Sequence, residues 1–214
     1  MKGGLSSKQA YRECKEREEN DLSTNGATLR LVETAVLLGI GTVLSLEFLS
    51  VSAPWMMGGS VTFGSMLAIV IIAHRYGTRW GVFASLVYAL LQMVLGLKNV
   101  GYAPNAMTAA AIILFDYLIA YGVLGLSSLF TDRFKNRLTG ICVGISFTFF
   151  LRFVSHFIVG WLVWQALWPN EQGMSAMVYS FVYNGSYMLP ETLIAIGITV
   201  LTYPALKKFW EKQA

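Results

Sequence analysis

Six ionisable side chains stand inside long apolar runs of this sequence: Glu33, Glu47, Asp116, Arg152, His156 and Glu191. A charge in hydrocarbon is costly, so each is a candidate for function or for an internal ion pair. Glu33 and Glu47 lie near the ends of their run, within reach of an interface. Asp116, His156 and Glu191 lie deeper, about 15, 18 and 12 Å from the same surface at about 1.5 Å of helix rise per residue. Three ionisable groups from three helices in one layer outline a pocket open to one side. His156, Gly160 and Trp164 recur at i, i+4 and i+8, which stacks them on one helical face. Gly160 then leaves a gap between two rings in which a planar group can lie. Rings with one or two carboxylates suit a small aromatic cation, because the ring quadrupole attracts positive charge and the carboxylate supplies countercharge or an acceptor. Arg152, several residues deeper on a neighbouring helix, is the expected partner of Glu191, since buried charges are commonly paired.

Catalytic motifs are missing. The sequence contains no H-E-x-x-H, no G-x-S-x-G, no Walker A loop and no G-x-G-x-x-G opening a helix after a strand. An intramembrane enzyme using Asp116 and His156 as an acid–base pair is the distant rival reading, and it lacks a nucleophile or metal set. No cofactor and no metal site is expected. Cys14 and Cys142 both fall on the side assigned below to the cytoplasm, where a structural disulfide is not expected.

These side chains must be held by membrane helices. Of 214 residues, 55% are hydrophobic, 14% aromatic and only 13% charged, with a mean hydropathy of +0.56. A soluble domain carries about 25% charged residues, so a soluble enzyme, a nucleic-acid binder and a disordered chain are all excluded. The expected fold class is an all-α membrane protein, a bundle of six transmembrane helices over Leu29–Val51, Val61–His74, Trp80–Leu97, Ala106–Phe130, Leu138–Trp168 and Tyr183–Tyr203. A spanning helix needs about 20 apolar residues, and the second segment is short for one. The runs lack the alternation of a transmembrane barrel. Residues 1–28 form a polar, mixed-charge cytoplasmic tail, expected to be disordered or interfacial, and 29–214 the membrane domain.

Arg75 and Arg79, then Arg133, Lys135 and Arg137, then Lys207, Lys208 and Lys212 fall on one side, against Lys98 alone on the other. By the positive-inside rule both termini are cytoplasmic. The pI near 9.1 therefore reflects topology and implies no nucleic-acid partner.

The run Arg152-Phe153-Val154-Ser155-His156-Phe157-Ile158-Val159-Gly160, then Trp164, then Tyr179-x4-Asn184-Gly185-Ser186-Tyr187-Met188-Leu189-Pro190-Glu191, resembles the thiamin-specific S component of energy-coupling factor (ECF) transporters. Asp116-Tyr117 with Ala120-Tyr121-Gly122 is similar to that family's Glu-Tyr pair, and the resemblance spans roughly Leu29 to the C-terminus. It implies a thiamin-binding subunit in the cell membrane that takes the vitamin from outside. Trp55 in the first external loop would cover the ligand. Asp116 and Tyr117 would contact it, His156 and Trp164 would flank or stack on its rings with Gly160 between them, and Tyr179 and Asn184 would supply hydrogen bonds. Tyr102 is a further loop candidate. Asp116 stands where the family has Glu, one methylene longer.

The resemblance also implies partners. Without a phosphate loop the chain depends on a transmembrane coupling subunit and two ATPase subunits, and the whole subunit topples in the bilayer to release its ligand. Ala35 and Gly39 match a small-x-x-x-small docking motif, with packing inside the bundle as the alternative. The first external loop, Ser52–Ser60 with Gly58-Gly59 as hinge, is expected to close over the ligand. The nearer rival function is an S component for a related ligand, such as a pyrimidine precursor or another vitamin, which Asp116 favours.

Overall fold

The computed structural model describes residues 7–51 and 59–210, with side chains from position 26 onward except at 47. Trp55 and most of the first external loop therefore lie outside the described residues. The chain divides into two compact units, Met1–Val36 and Leu37–Ala214. Helix α1 runs Ser7–Leu44, so helix begins well inside the polar stretch rather than at Leu29. Its polar residues are good helix formers, and the apolar run prolongs the same backbone pattern.

In the second unit follow α2 (Leu67–Tyr76), α3 (Thr78–Leu95), the short α4 (Leu97–Gly101), α5 (Ala106–Arg133), α6 (Arg137–Leu167) and α7 (Ala176–Trp210). Gly26–Leu44 of α1, together with α3, α5, α6 and α7, are five helices long and apolar enough to cross a membrane. The second expected segment is different. Its first residues, Val61–Thr62, form strand β2, which pairs antiparallel with β1 (Ser50–Val51). Gly64, at a φ of 84°, then turns the chain in a conformation that favours glycine. The helix that remains has 10 residues and is about 15 Å long, half the hydrocarbon thickness. It is shielded by protein: Leu67, Ala68, Ile69, Val70, Ile72 and Ala73 are all buried. Around it lies the main core, with Leu38, Tyr88, Leu124, Ile141, Ile145 and Phe149.

Hydroxyls on these helices bond locally, as they must in hydrocarbon. Thr42 Oγ1 donates to the Leu38 carbonyl (2.8 Å), Thr148 to Gly144 (2.9 Å) and Thr199 to Ala195 (2.8 Å). Where α3 meets α5, a Cβ on Gly125 would overlap the backbone at Val82, so this approach depends on small residues.

Two helices change pitch. α5 is a π-helix over Ile113–Ile119 and a 3₁₀-helix over Val123–Arg133, while α6 is a π-helix over Gly160–Trp164. Such wide turns are rare and concentrate at functional sites.

The expected Arg152–Glu191 pair is present, with Nη1 and Oε2 2.9 Å apart and side chains 7% and 2% exposed. Thr62 donates its hydroxyl to Glu191 Oε1, and the Arg152 guanidinium lies 4.9 Å above the Tyr121 ring. At the far end of α7, Arg75 Nη1 donates to the Phe209 carbonyl (3.1 Å) and Arg137 Nη2 to that of Trp210 (3.3 Å). These are carbonyls that a helix C-terminus leaves open. Trp210 itself is buried, and the His74 ring meets its edge at 6.2 Å.

Removing one partner of a buried pair leaves an uncompensated charge, a loss of about 3–5 kcal/mol, whereas replacing both by apolar residues is often neutral. Glu191→Ala is therefore expected to lower the thermal transition of the detergent-solubilised protein sharply. The double change Arg152→Met with Glu191→Leu should recover most of it.

Candidate ligand-binding site

The two π segments carry the site. Asp116 lies in the first, and Trp164 ends the second. Asp116 Oδ1 accepts from His156 Nδ1 (2.8 Å) and its Oδ2 from Trp164 Nε1 (2.8 Å). The carboxylate thus joins α5 to two points on α6, each oxygen holding one donor, with His156 and Asp116 only 13% and 15% exposed. Nearby carbonyls take donors from neighbouring helices: Ser155 Oγ donates to Phe115 (2.6 Å) and Ser180 Oγ to Phe157 (2.8 Å).

The bond to the carboxylate places a proton on His156 Nδ1. In the neutral ring Nε2 is then a lone-pair acceptor. That atom is buried and meets no hydrogen-bond partner among the described residues.

Aromatic rings extend from this centre. Trp168 stacks on Trp164 (5.5 Å between centroids, 8° between planes), and Tyr102 meets Trp168 edge-on at 4.8 Å. Tyr179 stacks on Tyr183 (5.8 Å, 21°), which meets Tyr187 edge-on at 5.8 Å. The Tyr183 hydroxyl accepts the Gly59 N–H (2.9 Å), tying the end of the first external loop to α7.

The structure thus joins Asp116, His156 and Trp164 directly and brings Tyr102 to them through Trp168. Other expected site residues adjoin this centre with their polar groups already engaged, Asn184 Nδ2 reaching to 3.5 Å from the His156 carbonyl. The Tyr117 hydroxyl donates to the Gly96 carbonyl (2.9 Å) and accepts from Asn99 Nδ2 (3.2 Å). Asn184 Nδ2 donates to the Ser180 carbonyl (2.8 Å), and its Oδ1 accepts from Tyr187 (2.8 Å). Gly160 opens no gap between rings: a Cβ there would run into Ser180 Oγ and stand 3.1 Å from Asn184 Nδ2. The face built on i, i+4 and i+8 assumed α-helical pitch, and the π turn breaks that period. Glu191 is bound to Arg152 and Thr62, in a hydrogen-bond network separate from that of Asp116.

Trp168 is 46% exposed, yet it forms the middle of the ring series. Its spacing of four from Trp164 was the available signal. Among the described residues no group of three or more His, Cys, Asp or Glu could hold a metal ion.

A family model described as thiamine transporter protein matches residues 31–210. Over 193 residues the chain is 27% identical to the thiamine transporter ThiT of Bacillus subtilis, covering 84% of this chain and 94% of that protein. ThiT of Lacticaseibacillus paracasei is 26% identical over 153 residues, 66% of this chain and 73% of the other. A solved structure of ThiT from Listeria monocytogenes has the same fold, with a TM-score of 0.70 at 22% identity over 87% of this chain and 99% of that one.

Trp164→Phe keeps the stacked ring and deletes the indole donor. Hydrogen bonds to charged groups contribute about 1.5–3 kcal/mol, so the variant should unfold at lower temperature than wild type without ligand. Trp168→Phe, which removes no donor to Asp116, should fall much less in the same thermal scan.

Proposed function

The chain belongs to the thiamine transporter protein family, and from that premise we propose that it binds thiamin itself, from outside, as the S component of an ECF-type transporter. It is a multi-pass membrane transport protein and not an enzyme, so the acid–base reading of Asp116 and His156 is set aside. The observation that carries the proposal is the carboxylate held between an imidazole and an indole, at the head of a series of rings. Thiamin joins a cationic thiazolium to an aminopyrimidine. Rings and carboxylate together favour the cation, and His156 Nε2 is placed to accept an N–H or O–H from the ligand.

Asp116, His156 and Trp164 form the centre of the proposed site, with Tyr117, Gly160, Tyr179, Asn184, Tyr102 and Trp55 around it. Tyr117, Gly160 and Asn184 act first on its shape, since Tyr117 is bonded to Gly96 and Asn99, Gly160 is packed on Ser180, and Asn184 is bonded within α7 before ligand arrives. The shorter Asp116 is met by a backbone shift, by a bridging water or by a change in affinity.

Counting α2 as a sixth pass puts both termini on one side of the membrane, the cytoplasmic side by the positive-inside rule. The joint grip of Arg75 and Arg137 on the end of α7 supports this count, because it brings basic residues of α2 and α6 to the end of α7. Transport energy comes from a coupling subunit and two ATPase subunits. Ala35 and Gly39 form the docking stripe, and at Gly39 nothing lies within 4 Å of where a Cβ would stand.

Titrating the purified protein with thiamin should give saturable quenching of tryptophan fluorescence. His156→Ala and Trp164→Ala should each weaken binding by about 1–3 kcal/mol. An absent response to thiamin beside saturable quenching by a neutral pyrimidine would instead support the related-ligand reading. Asp116→Asn retains the size and an acceptor but loses the charge. It should therefore weaken thiamin more than it weakens a neutral pyrimidine analogue in the same titration.

A further inference from the structure

At the end of the bundle where α6 begins and α7 finishes, Lys135, Asn136, Arg137, Tyr203 and Lys207 line a cavity of about 480 Å³. We propose that this cavity binds a phosphate group, and that its occupant in the membrane is the headgroup of an anionic phospholipid. Three cationic side chains face it, and no carboxylate is among its described lining residues. It lies at the N-terminus of α6, where Asn136 Oδ1 caps the Leu138 N–H (3.0 Å) and the helix dipole adds positive potential. The Arg137 guanidinium is half engaged: Nη2 holds the Trp210 carbonyl (3.3 Å), while Nε is buried with no hydrogen-bond partner among the described residues. Arg137 also lines a smaller cavity of about 170 Å³ with Asp132, His74 and Thr131, and among the described lining residues of the two spaces the one carboxylate, Asp132, belongs to that smaller one.

Size and surroundings favour a lipid over free phosphate. Small-ligand cavities run about 300–1,000 Å³, ample for a phosphodiester with its glycerol. The chain neighbours of the two lysines, Phe134 and Leu206, are apolar and 40% and 47% exposed, which provides surface for acyl chains beside the charged opening. Tyr203 and Lys207 are residue types that settle where hydrocarbon meets headgroups. None of these side chains belongs to the proposed thiamin site.

The test uses the full chain, delipidated in uncharged detergent and followed by calorimetry and native mass spectrometry. The probes are dihexanoyl-phosphatidylglycerol, dihexanoyl-phosphatidylcholine and inorganic phosphate. The expected result is saturable one-to-one binding of phosphatidylglycerol, weaker binding of phosphate and little of the zwitterionic lipid. Lys135→Gln with Lys207→Gln should weaken phosphatidylglycerol at least about tenfold and leave thiamin quenching as in wild type. If the double variant does not fold, Lys135→Gln alone, at an exposed side chain, should still weaken it by about fivefold. Equal binding of the two lipids, or equal binding by wild type and variant, would overturn the proposal. Binding of inorganic phosphate without phosphatidylglycerol would keep the phosphate site and overturn the lipid as its source.

Discussion

Inside hydrocarbon a polar group has only protein to bond with, and an unsatisfied one costs several kcal/mol. Most features of this bundle follow from that constraint. Threonine hydroxyls fold back on their own helices. Arg152 and Glu191 neutralise each other and take Thr62 into the same network. Arg75 and Arg137 close the end of α7. Asp116 holds one donor on each oxygen. His156 Nε2 is buried next to that carboxylate without a hydrogen-bond partner among the described residues, as are Arg152 Nε and Arg137 Nε in their own networks.

Much of the architecture was legible in the sequence because the bilayer demands long apolar runs. Five of the six expected segments are helices of spanning length, and the sixth was already short on paper. What shortened it was local, the β1–β2 pair and the turn at Gly64, and hydropathy carries no signal for a two-residue strand. The pairing of Arg152 with Glu191 was legible for the same reason as the helices: two opposite charges in hydrocarbon have few other solutions.

The centre of the site was legible in its members and not in its geometry. Asp116 and His156 were visible as ionisable residues at similar depth, and Trp164 as a ring on the same helical face as His156. That Tyr117 and Asn184 spend their groups on helix contacts depends on how α3, α6 and α7 pack, which no single-chain pattern encodes. Trp168 is half-exposed and still stacks on Trp164, because stacking and exposure coexist on one ring. Gly160 reads as open space in a sequence, but in the fold α7 fills that space. Family membership then narrows what this centre serves, since the same carboxylate and imidazole in another fold would suit proton transfer.

The two π turns have a consequence for counting. In an α-helix, residues four apart share a face, and motif spacings are compared between proteins on that assumption. Across Ile113–Ile119 and Gly160–Trp164 the hydrogen bonds run i→i+5 and each turn takes nearly one residue more, so each segment carries about one residue more than its length along the axis requires. Two chains can therefore present the same side chains to the same point while their motifs differ in spacing by one. In this family, matching positions across those stretches is a question of angle around the helix before it is one of distance along the chain.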